Sequence, residues 1–71
     1  MSIITFKEAQ EIVVTAETQI GTRSTTLTLP KNFTCVVDLD IYGEFSDIKF
    51  DYDGRKFIAY AVHVECFEVI Q

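Results

Sequence analysis

The chain has 71 residues, 48% of them hydrophobic and 13% aromatic, which holds it to one domain with a modest core and excludes intrinsic disorder. Eleven acids against 6 basic residues leave a formal charge of −5. Such a surface repels nucleic acid and anionic membranes, and among charged partners it selects basic protein faces. No apolar run of about 18 residues is present to span a membrane, and Met1-Ser2-Ile3-Ile4-Thr5-Phe6-Lys7 lacks the basic start and apolar core of a signal peptide, so a cytoplasmic protein is expected.

Residues 5–20 carry two conflicting signals. Phe6, Ala9, Val13, Ala16 and Ile20 recur at helical spacing, and Thr5 with Glu8 has the form of a capping box. Against this stands Ile12-Val13-Val14-Thr15, a β-branched run that favours a strand. Gly21-Thr22 offers a type II′ reversal. A loop there sets Ala16 against Leu27 and Val14 against Leu29, with Thr15–Thr28 and Glu17–Thr26 on the other face. Strands at about 11–20 and 23–29 are therefore expected, with a helical turn at 6–10 still open.

Pro30-Lys31-Asn32 reads as a turn. Phe33 to Tyr42 then alternates cleanly, with Phe33, Cys35, Val37, Leu39 and Ile41 on one side and Thr34, Val36, Asp38, Asp40 and Tyr42 on the other. A reversal at Gly43-Glu44 pairs Leu39 with Ile48, Val37 with Phe50 and Asp38 with Lys49, and sets Asp40 unfavourably against Asp47. A four-residue loop would keep that register. Asp53-Gly54 is the sharpest signal in the chain, because a type I′ turn needs positive φ at both central residues. It pairs Tyr52 with Arg55, Asp51 with Lys56 as an ion pair, Phe50 with Phe57, Lys49 with Ile58 and Ile48 with Ala59. Arg55 to Ile70 is long for one strand, and apolar groups fall on both of its sides. It is expected to be covered on both faces or to bend between two sheets, its far end pairing with the N-terminal strand. The expected class is all-β, a meander of five to six antiparallel strands forming a small sandwich or open barrel. The alternative is α+β with an N-terminal helix at about 5–19.

Catalytic and metal signatures are weak. His63 is the only histidine, and on a strand Cys66 points to the opposite face. Two cysteines make no disulfide framework, and Cys35 and Cys66 read as buried thiols. A Cys35–His63 nucleophile pair needs the fold to bring the two together. Asp51-Tyr52-Asp53-Gly54 resembles a calcium loop only in its first positions, and the hairpin already accounts for Asp53-Gly54. The glycines stand singly, so there is no phosphate loop. Asn32-Phe33-Thr34 matches a glycosylation acceptor that is idle without secretion. No cofactor is implied.

The most informative cluster is acidic and aromatic: Asp38, Asp40, Tyr42, Glu44, Phe45, Asp47, Asp51 and Tyr52, with Asp53 beside them. A plain solvated face accounts for much of it. The functional reading is a partner-binding patch in which Tyr and Phe anchor and the acids steer. The sequence is thus read as a non-enzymatic protein-binding module, an accessory or inhibitory protein of the kind common among mobile elements. It would occupy a basic, nucleic-acid-binding protein's surface without itself binding nucleic acid. The alternatives are a homodimeric structural subunit and an acidic nucleic-acid mimic.

Overall fold

The computed structural model describes the backbone of residues 1–71 and every side chain except that of Glu17. The fold is all-β and antiparallel, a single open seven-stranded sheet. The strands are β1 (Ser2–Phe6), β2 (Gln10–Thr18), β3 (Gly21–Leu29), β4 (Thr34–Tyr42), β5 (Phe45–Tyr52), β6 (Arg55–His63) and β7 (Phe67–Val69), with a 3-10 turn at Val64–Cys66 before β7. Their order is β3-β2-β6-β5-β4-β1-β7. The strand count exceeds the expected five to six, and sequential strands pair only within the β2–β3 hairpin and along β4–β5–β6. The helix alternative at 5–19 is overturned. Residues 2–6 form a strand, Lys7 and Glu8 bend, and the β-branched run enters β2. An apolar period shared with a helix loses to that run once a whole partner strand is present to pair with it.

The sheet curls so that its β7 side approaches β2. The Lys7 N–H and the Gln10 Nε2 amide both donate to the Cys66 carbonyl, at 3.4 and 3.1 Å. Three residues therefore suffice to link β1 to β2, although three strands lie between them in the sheet. The far end of the chain pairs with the N-terminal strand as expected, Phe6 opposite Phe67 and Ile4 opposite Val69. It closes no barrel, because β3 and β7 remain the two edges.

The concave inner face is the core. Phe6 is buried against Phe33 and Phe67, with ring centroids 6.4 and 6.3 Å away. Ile12 and Val14 of β2 and Leu29 of β3 close over Val37, Ile48, Phe50 and Phe57. Each fully buried side chain of this size stabilises the fold by about 1.5–3 kcal/mol.

The Asp53-Gly54 hairpin forms with all five expected pairs, its central residues at φ +52° and +76°. Tyr42 opposite Phe45 makes Gly43-Glu44 the two-residue loop, with Asp40 opposite Asp47. The first hairpin differs. Its loop is Gln19-Ile20, with Thr18 opposite Gly21, so Ala16 meets Arg23, Val14 meets Thr25 and Ile12 meets Leu27. The reversal lies two residues earlier than expected, a relative slip of four positions. An even slip keeps every side chain on its expected face, so the hydrophobic pattern does not distinguish the two registers. The Thr18 hydroxyl, donating to the Gly21 carbonyl at 2.7 Å, ties the observed turn.

In β6 the alternation changes phase. Ser46 pairs with Val62 and Ile48 with Ala59, so Tyr60 and Ala61 together oppose Asp47. This β-bulge, with Ala61 at φ +54°, lets Phe57, Ala59 and Val62 all reach the core. It explains the apolar groups on both sides of this segment.

Candidate functional site

The solvent face of β4–β5–β6 carries cross-strand pairs that the hairpin registers dictate. Tyr42 stands against Phe45, Asp40 against Asp47 and Asp38 against Lys49, continuing to Ile58 on β6. Asp51 stands against Lys56 one step further. Seven of the eight sequence candidates, Asp38, Asp40, Tyr42, Glu44, Phe45, Asp47 and Asp51, lie on this face or at its Gly43-Glu44 rim. Tyr52 does not join them. It lies on the inner side, its ring edge-on to Phe33 at 5.8 Å and packed against the core. Strand alternation separates it from Asp51.

Asp47 is the best-anchored member of the set. Its Oδ1 accepts the Tyr42 hydroxyl at 2.8 Å and the Ala61 backbone N–H at 3.0 Å. Those two donors offset its repulsion from Asp40. The hydrogen bond to Asp47 raises the Tyr42 pKa, desolvation and the charges of Asp47 and Asp40 add to it, and the Ala61 contact opposes it. Beside this clamp Ser46 is buried, its hydroxyl donating to the Asp47 carbonyl at 3.0 Å.

At the rim, Phe45 packs edge-on to His63 with centroids 5.5 Å apart. His63 Nδ1 accepts the Glu65 N–H at 3.1 Å, which leaves Nε2 facing Glu44 Oε2 at 3.8 Å. Asp38 lies 3.9 Å from the Met1 ammonium, a solvated contact of little energy. Asp51 and Lys56 face each other without closing to ion-pair distance among the described contacts, as suits two exposed side chains that keep their hydration.

Asp38, Asp40, Asp47, Lys49, Ile58 and Tyr60 line a shallow depression of about 490 Å³. An open trough of about 1190 Å³ continues from it past Lys56 and Thr15 to β2. Tyr60, 59% exposed, is the member that the sequence reading missed. Simple alternation puts Tyr60 and Val62 on one face, and only recognition of the bulge separates them. A non-glycine residue at positive φ gives no residue-type signal of its own.

The structure does not bring Cys35 and His63 together. Cys35 is opposite Ile4 near the start of β4, whereas His63 is opposite Phe45 next to its end. Seven residues of strand, about 23 Å, separate those ends. Burial raises the Cys35 pKa, which disfavours a nucleophilic thiolate. Among the described residues no three His, Cys, Asp or Glu side chains gather as metal ligands. No described helix is long and apolar enough to cross a membrane. No protein-family model matches the chain, and neither the curated proteins nor the solved structures searched contain a match.

Proposed function

We propose that the chain is a non-enzymatic protein-binding module whose docking surface is the β4–β5–β6 solvent face, directed at a basic protein partner. One observation carries the reading. Tyr42 and Phe45, opposite each other at the tip of a hairpin with a two-residue loop, keep 46% and 41% of their surface exposed beside Asp40, Glu44 and Asp47. Exposed aromatics anchor interfaces, and ringing acids steer a cationic partner and set its orientation. An accessory or inhibitory protein acts in this way by covering a surface that its partner needs. Lys49 and Lys56 lie among the acids, which favours a mixed protein interface over imitation of an unbroken phosphate row.

The test is affinity capture from the native host with the immobilised chain, run in parallel with a Phe45→Ala, Asp40→Asn double variant. The expected result is a protein with a basic surface, retained by the wild type, recovered at least tenfold less by the variant, and released as salt rises. Equal recovery by both forms overturns the reading. Displacement of the captured protein by DNA or RNA would identify its nucleic-acid site as the surface covered.

A further inference from the structure

We propose that the β3 edge pairs with the β3 edge of a second copy, antiparallel about a two-fold axis through Thr25, to form a continuous fourteen-stranded sheet. The pairing registers show which backbone groups this edge offers. Asp53-Gly54 is a type I′ turn, so Tyr52 and Arg55 exchange both of their backbone hydrogen bonds. By alternation Arg55, Phe57 and Ala59 address β5, and Ile58 addresses β2. Ile58 lies opposite Thr15, so Thr15 turns its backbone toward β6, and Val14 and Ala16 turn theirs toward β3. On β3 their partners Thr25 and Arg23, with Leu27, bond inward. Thr22, Ser24, Thr26 and Thr28 are left with N–H and C=O groups pointing off the sheet. All four are exposed and all four carry a hydroxyl.

This edge has none of the usual defences. It is nine residues long with no proline, bulge or acid, and Arg23 is its only charge. A chain of net charge −5 with 11 acids is best approached by its own copy where acids are missing. Val13 and Thr15, which flank the centre of this strand from β2, are also uncharged, and the β2 acids Glu11 and Glu17 stand opposite only its ends, at Thr28 and Thr22. The axis at Thr25 sets Thr22 against the partner's Thr28 and Ser24 against the partner's Thr26, so every outward N–H and C=O on both copies is used. It also sets Arg23 against the partner's Leu27, away from its own copy. The opposite edge, β7, has only three residues. Head-to-tail growth is therefore poorly matched in length, and a closed two-fold pair results. This surface is separate from the β4–β6 face, and either can stand without the other.

The experiment is sedimentation equilibrium of the full chain over a wide concentration range. The wild type is expected to double its mass as concentration rises. Thr25 meets itself across the axis, so Thr25→Asp and Thr25→Lys should each weaken association at least tenfold, and an equimolar mixture of the two should restore it. Ser24→Pro removes an outward N–H that the monomer does not use, and it should leave a folded monomer by circular dichroism even if the charged variants fail to fold. A wild type that stays monomeric throughout, or variants that associate like the wild type, overturns the proposal.

Discussion

The Asp47 carboxylate holds Ala61 in a left-handed backbone conformation, accepting its N–H at 3.0 Å while Ala61 sits at φ +54°. The same oxygen accepts the Tyr42 hydroxyl. One side chain on β5 therefore fixes both the β6 bulge and an aromatic of the candidate face. Asp47→Ala leaves two donors without their acceptor and should cost about 1.5–3 kcal/mol, the range for hydrogen bonds to a charged group. Asp47→Asn keeps an oxygen acceptor and removes the charge opposite Asp40, so it should cost less than half as much. Urea titration of the two variants against wild type decides this. Equal losses would show that the charge, not the acceptor, holds the bulge.

Ala61→Gly tests the strain itself. A left-handed alanine costs roughly 1–2 kcal/mol, and the added freedom of an unfolded glycine gives back about 0.5–1 kcal/mol of that. The variant should match or exceed wild-type stability by up to about 1.5 kcal/mol in the same titration. A clear loss would mean that the Ala61 methyl makes contacts that outweigh the strain.

Tyr42 should ionise above the ordinary tyrosine range, because its hydroxyl donates to Asp47 and two carboxylates oppose a phenolate. The neutral form is the one that the fold favours. Its contribution to stability is therefore complete below the unfolded value of about 10 and is lost as pH rises through the higher folded value. The difference in ultraviolet absorbance titration between wild type and Tyr42→Phe isolates this group. Its midpoint should fall toward the ordinary value in the Asp47→Ala background, and an unmoved midpoint would remove the hydrogen bond as the cause.

Two phenylalanines of opposite surroundings should separate core from surface. Phe6 is buried between Phe33 and Phe67, and Phe6→Ala should cost about 3–5 kcal/mol. At about 0.05–0.15 kcal/mol per residue that is at least about a quarter of the stability of so small a domain. Phe45, 41% exposed, should cost under about 1 kcal/mol as alanine while weakening partner capture. Thermal unfolding of both variants provides the measurement. A collapse of the fold in Phe45→Ala would make this ring structural.

Burial raises the Cys35 pKa, so its thiolate fraction at neutral pH is small. Alkylation by iodoacetamide, followed by peptide mapping, should be slower at Cys35 in the native chain than in urea. Equal rates would show a thiol that solvent reaches freely.

Much of this architecture was legible because two turns announce themselves. Asp53-Gly54 fixes five cross-strand pairs, and the Phe33–Tyr42 alternation fixes β4 against β5. The first hairpin was legible in its faces but not its register, because a slip of four leaves Ile12, Val14 and Leu27 on the same side. The strand order could not be read, since pairing β2 with β6 and β1 with β4 depends on contacts distant in sequence. Seven of the eight candidate residues share one surface, as strand alternation and turn position require. Tyr52 does not, because proximity in sequence to Asp51 says nothing of the side of the strand, and Tyr60 is hidden by the bulge.

That bulge makes β6 tolerant of losing one residue at a single place. Ala59 opposes Ile48 and Val62 opposes Ser46, with Tyr60 and Ala61 sharing Asp47 between them. Deleting Ala61 would leave one residue there, so plain alternation would still deliver Val62 to the greasy interior and keep Phe67 aimed at Phe6, at the cost of one donor to Asp47. A lesion of one codon is absorbed at this point, whereas the same lesion at Ile58 would make Phe57 and Ala59 neighbours in a strand that can send only one of them inward.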